Sequence, residues 1–308
     1  MGKVAFVYAG QGAQHAGMGQ SLYETSPAAR AVLDQAESLR PGTLRQCFEG
    51  DAETLSQTRN TQPCLMAVDC ACAAALREAG VNPDGHAGFS LGEIAALATA
   101  GMLPFGEAFV LVCRRADAMQ TCAEQTPGGM LAVLKLADEA VEALCAQLGA
   151  YAVNYNCPGQ VVCAMRTEQI PAFTQAVKDA GGRALPLAVG GGFHSPFMAQ
   201  AALQLRDYAQ KLPFQEPVQP LYANATGGLY TAAEAAALLG TQVESPVRWT
   251  SLIRTMLADG YTGFVELGAG RTLSGLIGKI GGTRRIANVE DAASLAATVQ
   301  LCKEDAGC

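Results

Sequence analysis

The stretch "KVAFVYAG" at the start of the chain is a short apolar run closed by glycine, the pattern of a buried strand. "QGAQHAGMG" after it has the composition of a loop, and residues 21–80 alternate helical patterns with turns. "PCLMAVDCACAAALREAG" predicts a buried helix with a glycine stop, and "GEAFVLVCRRADAMQTCAEQ" predicts an amphipathic one. The pattern then changes period. "GMLAVLKL" reads as a strand, "ADEAVEALCAQLG" as a helix, "YAVNYN" and "GQVVCAM" as strands, "TEQIPAFTQAVKDAG" as a helix and "RALPLAV" as a strand. That order is βαββαβ, a ferredoxin-like unit complete in about 60 residues. Past it, "PVQPLYANATG" and "YTGFVELGAG" read as strands, with helices between and after. The expected fold class is therefore α/β, with a discontinuous large domain (1–126 and 190–308) into which a small domain (127–189) is inserted. No internal repeat and no low-complexity tail is visible.

Composition narrows the function classes. Half of the 308 residues are hydrophobic and only 16% are charged, which is ample material for a core. A net charge of −7 argues against a general nucleic-acid binder. An acidic protein partner would need a local basic patch, for which Arg248, Arg254, Arg271, Lys279, Arg284 and Arg285 are the candidates. The eleven cysteines include no C-x-x-C, and three histidines build no zinc pattern. They are expected to be reduced core residues of a cytoplasmic protein. The N-terminus reads as a strand and turn rather than a signal peptide, and no apolar run is long enough for a membrane span.

Within "HAGFSLGEIAALATAG", Ser90 stands between Gly88 and Gly92, just before an apolar helix. G-x-S-x-G at a strand-to-helix junction is the pattern of a nucleophile elbow. Glycines allow a sharp turn and close packing, and the helix N-terminus offers free N–H groups. A serine hydroxyl needs a base within reach and donors for a developing oxyanion. The candidate bases are His15, His86 and His194. His86 lies on the strand side of the turn, where it would normally point away. His15 lies in the first loop. His194, in "GGGFHSPFM", sits where the chain re-enters the large domain, a favoured place for a site.

Eight blocks then carry a family resemblance: "GQGAQHAGMG", "TQPCLMAV", "GFSLGEIAALATAG", "RRADAMQ", "NYNCPGQVV", "GGGFHSPFM", "SPVRW" and "FVELGAGRTLSGLIGKI". In order and spacing the chain resembles malonyl-CoA:acyl carrier protein transacylases over nearly its whole length. The resemblance implies an α/β-hydrolase-like large domain with a ferredoxin-like insert. It further implies Ser90 as the acylated nucleophile, His194 as its base, the backbone carbonyl of Gln242 as the group holding that histidine, and the N–H groups of Gln11 and Leu91 as oxyanion hole. Arg115 would pair with the free carboxylate of malonyl, through two parallel hydrogen bonds that a planar guanidinium can make; Arg114 is the neighbouring alternative. Gln62 and Met119 would line the pocket, Asn156 and Gln160 would serve at the domain interface, and Phe193 resembles the malonyl-selective form of its motif.

The implied reaction is ping-pong transfer of malonyl from malonyl-CoA to the phosphopantetheine thiol of acyl carrier protein, for fatty acid biosynthesis. It involves no metal and no cofactor, no membrane and no nucleic acid, and a monomer is expected. The alternatives are an acyltransferase serving a polyketide synthase and a serine acyl hydrolase or thioesterase on the same scaffold. A hydrolase of neutral acyl groups has no use for a buried arginine, so Arg115 discriminates. Three departures stand out: Phe89 replaces the histidine usual beside the nucleophile, Ala9 and Ala269 stand where proline is common, and Cys163–Ala164 replace the usual Ser-Gly. None removes a catalytic atom.

Overall fold

The computed structural model describes residues 2–283 and 285–306. Nine strands fall among them: β1 (Lys3–Tyr8), β2 (Gly85–Gly88), β3 (Gly128–Leu134), β4 (Tyr151–Cys157), β5 (Gln160–Arg166), β6 (Arg183–Pro186), β7 (Leu221–Tyr222), β8 (Tyr261–Leu267) and β9 (Arg285–Val289). They form two sheets. The larger is parallel throughout, in the order β7-β2-β1-β8-β9. The smaller is antiparallel, in the order β4-β5-β3-β6.

The unbroken apolar run of β1 follows from its central place. Ala5, Phe6, Val7 and Tyr8 are all fully buried. Successive side chains point to opposite faces, so Phe6 and Tyr8 join the large core on one side while Ala5 and Val7 join a second core around Trp249 on the other. Strand β3 divides its residues the same way. Leu131 and Val133 pack under the helices Asp138–Leu148 and Ile170–Asp179, whereas Met130 and Ala132 face the large core. The small sheet is thus clamped between its own helices and the parallel-sheet unit. The segment at Val247 is stitched to β4 by hydrogen bonds from Val247 N to Val153 O (2.8 Å) and from Tyr155 N to Val247 O (2.9 Å).

The βαββαβ order is present as read from the sequence, with its last strand ending at Pro186 rather than Val189. Three other elements differ from expectation. The buried helix begins at Thr58, five residues before the proline; Pro63 forfeits the bond its N–H would make to Arg59 O, and Arg40 Nη2 lies 3.5 Å from that oxygen instead. Among the residues of "PVQPLYANATG", only Leu221 and Tyr222 form strand, since Pro217 and Pro220 lack an N–H for the ladder. Strand β9 was not expected at all; it is short and only partly buried. Among the described residues no helix is long and apolar enough to cross a membrane. Ten cysteines are described, all free and eight of them buried.

Candidate active site

The loops after β1, β2 and β8 leave the carboxyl ends of three adjacent parallel strands, where open α/β sheets present their ligand crevice. The turn after β2 carries Ser90 at φ 54°, a left-handed conformation uncommon for a residue with a side chain. Both flanking glycines are sterically required. A Cβ on Gly88 would lie 2.0 Å from the carbonyl carbon and oxygen of Gly92, and one on Gly92 would lie 2.2 Å from Tyr8 O. Strand, turn and helix are too close for any side chain at either place, which is the physical content of the G-x-S-x-G spacing.

Ser90 Oγ lies 2.6 Å from His194 Nε2. The other ring nitrogen, Nδ1, is 3.1 Å from Gln242 O and 3.1 Å from Ser245 O. Carbonyl oxygens only accept, so the proton resides on Nδ1 and Nε2 is left to accept from the serine hydroxyl. His194 is itself strained, at φ 60°, and its N–H donates to Val243 O at 2.9 Å. Burial, then the positive charge of Arg115, pushes its pKa down to about 4, leaving a neutral imidazole. The other two histidines are elsewhere. His86 is fully buried beside the Tyr8 hydroxyl at 2.9 Å, and burial lowers its pKa to about 3. His15 is exposed.

Arg115 is buried behind the serine. Its Nη2 donates to Ser90 Oγ (3.1 Å) and Gln242 Oε1 (2.9 Å), Nε donates to Gln242 Oε1 (3.1 Å), and Nη1 donates to Gln62 Oε1 (2.7 Å). Gln62 Nε2 in turn lies 3.3 Å from Met119 Sδ. Among the described residues every hydrogen-bond partner of this guanidinium is neutral, so no contacting carboxylate compensates its charge. Burial lowers its pKa to about 10 and it remains a cation at neutral pH. Arg114, the alternative, is exposed and stacks on Tyr208 with 4.4 Å between guanidinium and ring.

Asn224 holds the elbow from the far side. Its Oδ1 accepts Ser90 N–H at 2.6 Å and its Nδ2 donates to Gly88 O at 2.5 Å. Gln242 Nε2 donates to Ser90 O at 2.9 Å. The Ser90 amide is thereby occupied, whereas the amides of Gln11 and Leu91 have no hydrogen-bond acceptor among the described residues. The Gly10 backbone abuts Phe89 O, which brings the first loop against the elbow.

A cavity of about 340 Å³ opens beside this point, lined by the first loop, Phe89, Asn154, Asn156, Gln160 and Leu276 among others. The Oδ1 atoms of Asn154 and Asn156 are buried without a partner. Phe89 packs edge-on against Trp249 with centroids 5.4 Å apart, so its ring takes a wall position between cavity and second core. Phe193 is buried in the large core. Of the basic candidates, Arg248, Arg254, Arg271 and Lys279 are exposed, with Lys279 Nζ 3.5 Å from Gln160 Oε1; Arg285 is half-buried on β9, and Arg284 lies outside the described residues.

Sequence reasoning missed Asn224, the Ser245 carbonyl and Glu93, whose carboxylate accepts from Asn224 N–H at 2.7 Å and from the Tyr230 hydroxyl. Only Glu93 left a signal, as the single charge in the apolar helix "GEIAALAT".

The model of the acyl transferase domain family matches residues 5–298. A malonyl CoA-acyl carrier protein transacylase of Bacillus subtilis is 35% identical over 313 residues, covering 99% of each chain. The crystal structure of a malonyl CoA-acyl carrier protein transacylase from Clostridium perfringens superposes with a TM-score of 0.94 at 31% identity, over 98% of each chain. A malonyl-transacylase solved in complex with its type II polyketide acyl-carrier protein superposes at 0.92 with 32% identity, over 97% of this chain and 99% of that one.

Proposed function

The chain belongs to the acyl transferase domain family, and from that premise and the geometry around Ser90 we propose that it is an [acyl-carrier-protein] S-malonyltransferase of fatty acid biosynthesis. One observation carries the reading: a single serine oxygen is hydrogen-bonded both to a neutral imidazole and to a buried guanidinium. The imidazole supplies the base that any acyl transfer needs. The guanidinium selects an acyl group that ends in a carboxylate, which malonyl has and acetyl lacks.

In this reading the malonyl carboxylate takes the donors of Arg115, held in orientation by Gln62 and Gln242, with Met119 and Phe193 shaping the apolar surround. Ser90 Oγ attacks the thioester carbonyl as its proton passes to His194 Nε2. The imidazolium is stabilised at Nδ1 by the Gln242 and Ser245 carbonyls. Amides of Gln11 and Leu91 receive the oxyanion. Collapse breaks the carbon–sulfur bond, and His194 returns the proton to the departing CoA sulfur. The carrier-protein thiol then reverses these steps. Asn154 and Asn156, with their unpartnered oxygens, suit the amide N–H groups of a pantetheine arm in the cavity, and Gln160 lies at its rim.

We assign residues 127–189 to the small domain and the remainder to the catalytic one. The chemistry needs no metal and no cofactor of the enzyme's own, and the buried thiols suit a reducing cytoplasm. The exposed Arg248, Arg254, Arg271 and Lys279 are the docking candidates for an acidic carrier protein. Intact mass after brief mixing with malonyl-CoA tests the reading. A single malonyl increment is expected, absent in Ser90→Ala; release of CoA without an adduct would favour a hydrolase instead.

A further inference from the structure

Glu93 is the buried acid closest in connectivity to the nucleophile, and no step above uses it. It is 1% exposed and sits in the first turn of the helix that follows Ser90. One carboxylate oxygen accepts from the Tyr230 hydroxyl, the other from the backbone N–H of Asn224, whose side chain holds Ser90 N–H and Gly88 O. On the pocket side the Gln242 amide separates Glu93 from Arg115. The buried unit therefore holds one fixed cation, Arg115, and one acid that is its nearest counter-charge yet does not touch it. A substrate carboxylate placed on Arg115 adds a second acidic group to a volume that held one cation and one acid.

We propose that Glu93 takes up a proton when a carboxylate-bearing acyl group is loaded onto Ser90, offsetting part of the negative charge that the acyl group brings. The inference rests on the reading that malonyl occupies Arg115. The titratable groups facing Glu93 are Tyr230, Arg115 and, beyond it, His194. Burial raises the Tyr230 phenol well above its ordinary value, Arg115 stays charged, and His194 is neutral. Burial lifts Glu93 itself to about 7, against the lowering pull of Tyr230, Asn224, Gln242 and Arg115. With an effective dielectric constant of about 20, a like charge at roughly 10 Å raises that value by about one unit more. Ser90 acylation is itself proton-neutral, because the serine proton leaves on the CoA thiol.

The test reads protons and adduct in one sample. Wild-type enzyme in weak buffer with an indicator dye at pH 7 is mixed with malonyl-CoA, and the adduct is counted by intact mass. The inference expects about half a proton taken up per malonyl-enzyme formed, and none in Glu93→Gln. That substitution keeps an oxygen for Asn224 N–H and lets the Tyr230 hydroxyl turn to accept. A second measurement needs no variant: the exchange constant between malonyl-enzyme and malonyl-CoA should fall about two- to threefold from pH 6.5 to 7.5, below the range where a thiol ionises. Adduct without uptake, a flat exchange constant, or uptake that persists in Glu93→Gln overturns the inference and leaves the malonyl reading standing. Absence of any adduct on Ser90 refutes the malonyl reading, and this one with it.

Discussion

Replacing Arg115 by alanine removes a guanidinium that is 2% exposed and fixed by four hydrogen bonds to neutral oxygens. Held this way, its donors can turn to a substrate carboxylate without first breaking an ion pair. Hydrogen bonds to a charged partner contribute about 1.5–3 kcal/mol each. Two of them correspond to about 3–6 kcal/mol, or roughly 10²- to 10⁴-fold in kcat/KM for malonyl-CoA. An acetyl group makes neither bond, so its loading should change less than about tenfold. The assay is single-turnover loading from both thioesters on wild type, Arg115→Ala and Arg115→Lys. Lysine keeps the charge but offers one point rather than a fork, and it cannot reach Gln62, Gln242 and substrate together; an intermediate loss is expected. Truncation also strands the Gln62 and Gln242 oxygens, at about 1–3 kcal/mol each unless water enters, so thermal unfolding must accompany the kinetics. A folded Arg115→Ala that loads malonyl within about tenfold of wild type would refute the reasoning, as would equal losses for malonyl and acetyl.

Three further outcomes follow from the structure. His194, pushed down to about 4, stays a neutral base well below pH 6.5, so kcat/KM for loading should show no loss on acidification from pH 6.5 to 5.5 and fall only toward pH 4; half-loss near 6.5 would contradict the buried geometry. His86 has a folded pKa of about 3 against 6.5 unfolded, so its contribution to stability is complete above about 6.5 and is lost as pH falls toward 3. His86→Gln should therefore cost less at pH 4.5 than at pH 7.5 in urea unfolding, and an equal or larger cost at the lower pH would reverse the assigned sign. Gly88→Ala forces a Cβ to within 2.0 Å of the Gly92 backbone, whereas Gly159→Ala meets nothing within 4 Å and pays only for φ 74°. The first should lose cooperative unfolding or fall far in Tm and the second by about 1 kcal/mol; similar Tm values would rule out steric exclusion as the reason for the elbow glycines.

Periodicity and local chemistry were sufficient for much of this protein. Phe6 and Tyr8 against Ala5 and Val7, and Leu131 and Val133 against Met130 and Ala132, divide between cores by the two-residue repeat of a strand; the apolar runs predict the strands, and the fold decides which face meets which core. The elbow was legible because two glycines and a serine at fixed spacing encode a local steric solution. The positions of Ser90, His194 and Arg115 came from motif blocks, and the chain does carry them into one hydrogen-bonded group. What the sequence did not determine is what depends on distant backbone. The proton on His194 Nδ1 is placed by two carbonyl oxygens, Gln242 and Ser245, and every residue has a carbonyl, so nothing marks these two in the sequence. Asn224 acts on Ser90 from 134 positions away in an unremarkable loop. Strand β9 exists because the exposed edge of β8 offers a parallel ladder to a run too short and too polar to declare itself. Side-chain pattern is a local property and the sequence states it. Backbone partners and the balance of buried charge between Arg115 and Glu93 belong to positions brought together only by the folded chain.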